Sequence, residues 1–317
     1  MVTVCETMVR IKRRAMDCEF ELILCGGDER YLQDAAEEAF EEVERLEEQL
    51  SAFVPTSEIS YINTCAGSGP VRVEPRLFRL LETAKRLSEE TEGAFDVTAG
   101  ALGDLWRRSQ HAPSQHDIAD ALAATGMSRV LLDSDECTVR FTTSGIRLNL
   151  GALGKGCAVG RVAELLKDRG VTAALIHAGA STVYALGTPP GEEAWTVGIR
   201  HPVNRSERIT SVTLKDRALS TSGSHERFAE IEGIRYSHII DPRTGRPADA
   251  DVLLASAASD DPAESDALST AFFLMGIERA RVYCKTHSGI GAVLVRNTGD
   301  ATNPEIVSLG ELEVCLS

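Results

Sequence analysis

Four short stretches of this chain gather the residue types that do chemistry. In YSHIIDPRTGRP, residues 236–247, His238 enters an apolar run that Asp241 and Pro242 then break, with Arg243, Thr244, Gly245 and Pro247 following. Proline cannot continue a central strand and glycine permits a positive φ, so 241–247 is predicted to be a tightly bent, rigid loop at a strand end. Side-chain alternation along a strand over 235–240 would put Tyr236 and His238 on one face. A histidine there can exchange a proton near neutral pH. A half-buried structural His238, with Asp241 capping its own turn, fits the same residues.

ESDALSTAFF sets Asp266 and Thr270 four residues apart, on one face of a helix. A carboxylate and a hydroxyl so placed can share a hard cation, which prefers oxygen ligands. Alternatively, Asp266 complements the helix dipole and Thr270 is packed. NLGALGKGCAVG passes from a strand through a glycine turn into a helix, with backbone N–H groups and Lys155 available to a phosphate. It lacks the Ser or Thr that follows Gly-Lys in a P-loop, and a tight turn with a solvated lysine explains it equally well. In GAFDVTAG, Phe95 and Asp96 could hold a planar heterocycle, or be a core aromatic beside a turn aspartate.

The elements that must position these residues can be read from periodicity. CEFELILCG (18–26) is a strand. Residues 31–53 form an amphipathic helix with Leu32, Ala36, Phe40, Val43, Leu46 and Leu50 at steps of three and four. Its seven glutamates between 37 and 48 lie mostly on the opposite face, as a solvated surface. Helices are predicted over 75–93 and 114–126, after the 146–150 strand, near 264–276 and over 277–287, with strands at 129–133, 137–142, 172–179, 181–187, 195–202, 209–216, 235–240, 252–259 and 289–295. Strands outnumber simple βαβ units, so the class is α+β, mixed α and β, in one large domain without linker or internal repeat.

Bulk properties narrow the partners. The chain has 317 residues, 43% hydrophobic and 26% charged, and a formal charge of −15. That acidity argues against nucleic acid or an anionic membrane as a primary partner. No apolar run approaches the length of a spanning helix. The eight cysteines form no CxxC pair, and the first 26 residues have no apolar core fit for a signal peptide. A reduced, cytoplasmic protein is the expectation.

Taken in order, MDC, SEISYIN, GAFDVTAGAL…LW, NLGALGKGCAVG, STSGSHERF, YSHIIDPRTGRP and SDALSTAFFLMG resemble the motifs of the FAD:protein FMN transferases, the ApbE family. The resemblance runs from about residue 10 to the C-terminus, giving a domain at 10–317 after an N-terminal extension at 1–9. It implies a T-fold-related α+β fold and a Mg²⁺-dependent reaction. FAD is cut at its pyrophosphate, FMN passes through its phosphate to a threonine (or serine) of an acceptor flavoprotein, and AMP leaves.

By motif position, Asp266 and Thr270 resemble the side-chain metal ligands and the Gly154 carbonyl a third. Met16, Ala94, Phe95, Asp96, Gly151 and Cys157 fall at flavin or adenine contacts, and Phe53 stands where a tyrosine is often found. Lys155, Arg243 and Thr244 are expected at the cofactor, with Arg243 and Thr244 alternatively locking their loop. His238 matches the histidine that assists removal of the threonine proton, and Asp241 orients the turn. The glycine loop departs from the family pattern at Asn149, Ala152, Gly154, Cys157 and Gly160. Hydrolysis of FAD by water, or flavin binding without catalysis, are the competing expectations. Family members are often periplasmic lipoproteins, whereas no lipobox or export segment is seen here.

Overall fold

The structure is a computed structural model that describes residues 7–108, 111–204, 206–223, 228–231, 233–248, 251–299 and 304–315. Its centre is an eight-stranded antiparallel sheet in the spatial order Thr7–Ala15, Cys18–Gly26, Ala173–Ala178, Thr182–Leu186, Arg217–Gly223, Val252–Ser259, Gly291–Arg296 and Glu305–Gly310. Val252–Ser259 is buried at every position. Its small residues, Ala255, Ser256, Ala257 and Ala258, let a helix close on one face and a second sheet on the other.

Seven helices are described: α1 (Glu29–Leu50), α2 (Glu58–Cys65), α3 (Pro75–Glu90), α4 (Gly100–Arg108), α5 (Gln115–Ala123), α6 (Gly154–Asp168) and α7 (Pro262–Thr286). Helices α1, α6 and α7 cover one face of the large sheet, burying Phe40, Val43, Val159, Val162, Phe272 and Phe273 in the main core. A three-stranded sheet of Trp195–Arg200, Arg208–Leu214 and Val314–Cys315 covers the opposite face with Trp195, Val197, Ile199, Val212 and Leu214. Helices α2 to α5, a small sheet of Val71–Arg72, Thr138–Phe141 and Val130–Asp133, and the hairpins Phe228–Ile231 with Ile234–Ser237 and Ile240–Asp241 with Arg246–Pro247 flank this core.

Several expectations shift in instructive ways. Helix α1 starts on Asp28, which accepts from the Tyr31 N–H, and stops at Leu50, not 53, because Ser51 turns extended. Residues 51–53 are thereby freed for a turn. Its glutamates are not merely solvated: Glu37 pairs with Arg13 at 2.5 Å and Glu42 with Arg45 and Arg161. The first hairpin turns through Met16 and Asp17, both at positive φ (49° and 58°), a two-residue loop that follows the right-handed twist of its strands. Residues 7–9, placed by sequence in an extension, belong to that hairpin's first strand, while 1–6 lie outside the described residues. The strand expected over 235–240 is broken: Ile234–Ser237 ends where Ser237 Oγ accepts the Ile239 N–H at 3.2 Å. His238 therefore sits on a bend, and strand alternation does not place it. Helix α7 is two helices joined at Gly276 (φ 77°, ψ 176°), matching the two separate helical segments expected there.

Helices α6 and α7 meet at Gly156. A Cβ there would fall 2.2 Å from the Pro262 carbonyl oxygen, an impossible contact, while one at Gly160 would meet only the Pro262 side chain, at 3.7 Å. Gly156→Ala is expected to destabilise the protein by about 1–3 kcal/mol through overpacking. Gly160→Ala is expected to be neutral or to stabilise by about 0.5–1 kcal/mol through helix propensity. Denaturant midpoints of the two variants, measured side by side, check the pair.

Candidate active site

A cleft of about 1610 Å³ opens where the glycine turn before α6, the first half of α7, the hairpin turn at Met16 and the bend at His238 converge. Met16, Phe53, Ala94, Phe95, Asp96, Gly151, Gly154, Lys155, His238, Asp266 and Thr270 all line it. Cys157, Asp241, Arg243 and Thr244 do not.

Asp266 lies at the base of this cleft, 4% exposed. Helix α6 has no side-chain cap of its own, since its preceding residue is Leu153. Asp266 supplies one from another helix: its Oδ2 accepts the Gly156 N–H at 3.0 Å, the third amide of α6 and the one an N-cap side chain ordinarily takes. Its Oδ1 accepts from Thr182 Oγ1 at 3.3 Å and lies 3.8 Å from Lys155 Nζ. Lys155 also donates to the Gly151 carbonyl at 3.4 Å. One turn on, the Thr270 hydroxyl contacts Ser222 Oγ at 3.1 Å. Asn149 accepts the Gly151 N–H at 2.9 Å, so the amide keeps the turn a carboxylate would make at this position. Oxygen donors and one charged carboxylate suit a hard cation. Among the described residues no group of three or more His, Cys, Asp or Glu gathers at metal-holding geometry, which leaves a cation to Asp266 with hydroxyl and carbonyl oxygens.

His238 is held by a loop fastened at two points. Asp241 accepts from the Arg243 backbone N–H and Nε at 2.9 Å each and from Nη2 at 2.8 Å, and Arg243 Nη2 also donates to the Leu274 carbonyl in α7 at 3.0 Å. Opposite, Trp106 Nε1 of α4 donates to the Gly245 carbonyl at 2.8 Å and stacks obliquely on Tyr236, with ring centres 5.2 Å apart. Gly245 has φ 69°, and a Cβ on it would come within 2.7 Å of Ile118. The polar side chains of this turn thus bolt it between α4–α5 and α7, which is the locking role for Arg243. Thr244 joins in, accepting the Arg246 N–H at 3.3 Å.

Two lining residues are occupied internally. The Asp96 carboxylate accepts from Ser88 Oγ, from the Thr98 N–H and hydroxyl, and from the Met127 N–H, at 2.5–3.2 Å. It is the hub that ties α3 to the loop before α4 and to the segment after α5. Phe95 is a core side chain, 2% exposed, that reaches the cleft at its edge. Phe53 is the reverse: 62% exposed at the rim, with the Arg107 guanidinium 4.8 Å over its ring. Cys157 packs against the main core and is not among the residues lining the cleft, and burial pushes its thiol up to about 12. Burial also holds His177, on the cleft wall, below the usual histidine range.

Sequence reasoning gave no role to Trp106, Thr182 or Ser222, and it offered the backbone amides of the glycine turn to a phosphate, whereas the Gly156 N–H is taken by Asp266. The STSGSHERF motif contained Ser222; its residues 224–227 lie outside the described residues. Among the described residues no helix is long and apolar enough to cross a membrane.

An antiparallel sheet roofed by helices, with a buried carboxylate capping a glycine-opened helix beside a lysine, defines an α+β protein with a polar cleft at the start of α6. The ApbE family model matches residues 6–294, and the chain belongs to the ApbE family. It is 33% identical over 269 residues to the FAD:protein FMN transferase of Klebsiella pneumoniae (strain 342), covering 84% of this chain and 83% of that protein. It is 33% identical over 278 residues to the FAD:protein FMN transferase of Treponema pallidum (strain Nichols), covering 82% and 76%. Among solved structures, the ApbE protein of Thermotoga maritima superposes with a TM-score of 0.85 at 27% identity, covering 96% of this chain and 97% of that one. The flavin transferase ApbE of Vibrio cholerae gives 0.84 at 25% identity, with the same coverage.

Because the Asp241–Arg243 fork sets the bend, Arg243→Lys, which cannot donate in two directions from a planar group, should loosen the loop while leaving the cores intact. The expected loss of local opening free energy over 239–247 is about 1 kcal/mol, read by native-state hydrogen exchange. Unchanged protection would show that Trp106 alone holds the bend.

Proposed function

We propose that this chain is an FAD:protein FMN transferase, moving FMN from FAD to a hydroxyl of an acceptor flavoprotein and releasing AMP. The observation that carries this reading is Asp266: a buried carboxylate on the floor of a dinucleotide-sized cleft, between the amide of Gly156 and Lys155, in a chain whose named relatives are FAD:protein FMN transferases.

In the reaction, the acceptor threonine (or serine) oxygen forms a bond to the phosphorus of the FMN half, the pyrophosphate P–O bond breaks, and its electron pair leaves with AMP. Such a transfer demands mainly positioning and charge neutralisation. Asp266, Thr270 and the Gly154 carbonyl would hold Mg²⁺, which when bound neutralises charge on the pyrophosphate. Lys155 adds a positive charge at the same end. His238 accepts the hydroxyl proton, and Asp241 positions His238 by fixing the bend through Arg243. Phe53 with Arg107 over its ring forms a rim against which a flavin or adenine plane can stack. Met16, Ala94, Phe95 and Gly151 shape the wall, and Asp96 holds that wall together from behind.

Incubating the protein with FAD and Mg²⁺, with and without a candidate acceptor, tests the reading: covalent flavin plus AMP is expected with acceptor present. FMN and AMP in both tubes would mean hydrolysis, and intact FAD a binding protein. Asp266→Asn keeps an acceptor for the Gly156 amide, so it should fold, yet lose FAD cleavage by about 10²-fold or more because the charge is gone. Full turnover by the folded variant would refute the assignment.

His238→Asn should retain FAD affinity but slow transfer by about 10²-fold, the usual worth of general-base catalysis. The wild-type rate should rise with pH through the imidazole titration, since only the neutral ring accepts a proton, and the variant should lack that limb. A variant with the wild-type rate and profile removes His238 from the mechanism.

A further inference from the structure

Ser222 and Ser269 join Thr270 in a chain of hydroxyls that ends on a backbone carbonyl. Ser269 Oγ, fully buried, lies 2.8 Å from the Asp266 carbonyl oxygen and 2.9 Å from Ser222 Oγ, which lies 3.1 Å from Thr270 Oγ1. A carbonyl can only accept and each hydroxyl carries one proton. Ser269 must therefore donate to the carbonyl, so the Ser222–Ser269 bond uses the Ser222 proton. The Thr270–Ser222 bond in turn uses the Thr270 proton. Any other arrangement sets two lone pairs against each other or leaves a buried hydroxyl contact unmade.

We infer that Ser222 and Ser269 are positioning residues that polarise Thr270, committing its proton to Ser222 so that its lone pairs face the cleft as cation ligands. The inference rests on the proposed cation site, which it deepens by assigning the outer hydroxyls that fix ligand orientation. It explains why a strand of the central sheet, Arg217–Gly223, presents a serine rather than an apolar residue to α7. The anchor is the Asp266 peptide itself, so the side chain and backbone of one residue set both the carboxylate and, at the far end of the relay, the hydroxyl.

The test is Mn²⁺ titration of the protein alone, read by loss of the free-ion paramagnetic resonance signal, with melting temperature measured on the same samples. Ser222→Ala should weaken Mn²⁺ about 10-fold, the scale on which outer partners tune a metal ligand, with little change in melting. Ser222→Thr, which keeps the hydroxyl, should restore it. In a Thr270→Val background Ser222→Ala should change nothing further. Should Ser222→Ala not fold, Ser269→Ala on the helix carries the test, with a smaller loss in the same direction. Wild-type Mn²⁺ affinity in a folded Ser222→Ala or Ser269→Ala protein overturns the relay while leaving the cation site standing. Failure of the wild-type protein to bind Mn²⁺ overturns both.

Discussion

The Asp266 carboxylate has to leave water to occupy its place, and an uncompensated buried charge would cost several kcal/mol. Its compensation comes from the first turn of α6, whose exposed amides carry partial positive charge and whose preceding residue, Leu153, offers no cap. Each helix solves the other's problem. That exchange is possible only where α6 and α7 approach closely enough for Gly156 to touch the Pro262–Ala263 backbone, so the missing side chain at Gly156 is a condition of the site. The neighbouring Lys155 and the oxygens of the glycine turn are then delivered to the cleft by the same contact.

Helix α7 carries more than the carboxylate. Leu274, two residues before the break at Gly276, offers the carbonyl to which Arg243 ties the His238 loop. Asp266, Thr270 and Leu274 recur every four residues on one face, all on the cleft wall. One rigid helix thus registers the acidic floor, the hydroxyl and the clamp on the bend that holds His238. In the proposed mechanism a general base must be placed to within hydrogen-bond reach of its proton, and a loop bolted to the helix that carries Asp266 would satisfy that demand better than an independent one.

How far this was legible in the sequence depends on whether a feature is local. The i, i+4 pair Asp266 and Thr270, the helix break at Gly276 and the bend set by Pro242 and Gly245 are local, and were read from spacing. The end of α1 at Leu50 and the break of the strand at Ser237 were missed, because each depends on a single backbone turn within an otherwise favourable pattern. The roles of Trp106, Ser222 and the Gly156 amide were invisible because their partners lie 139, 47 and 110 positions away. Cys157 was a motif position without a motif residue. The structure turns it toward the core, which one-dimensional spacing along a helix start could not decide.

The proposed anionic dinucleotide substrate and the chain's acidity conflict by charge count, but count is the wrong measure. Surface charges are screened beyond roughly 10 Å at moderate salt, so a net −15 acts weakly on a ligand inside a cleft. Several surface carboxylates are also paired in place: Glu37 and Glu42 on α1 with Arg13, Arg45 and Arg161, and Glu90 and Glu264 with Arg86. Asp96 and Asp241 face the site's scaffolding with their oxygens already taken by hydrogen bonds. Asp266 is the carboxylate on the floor, and it is met by an amide, a lysine and, in the proposed working state, a cation. In the proposed reaction Lys155 and the cation would therefore supply the positive charge nearest the pyrophosphate, at the Asp266 end of the cleft.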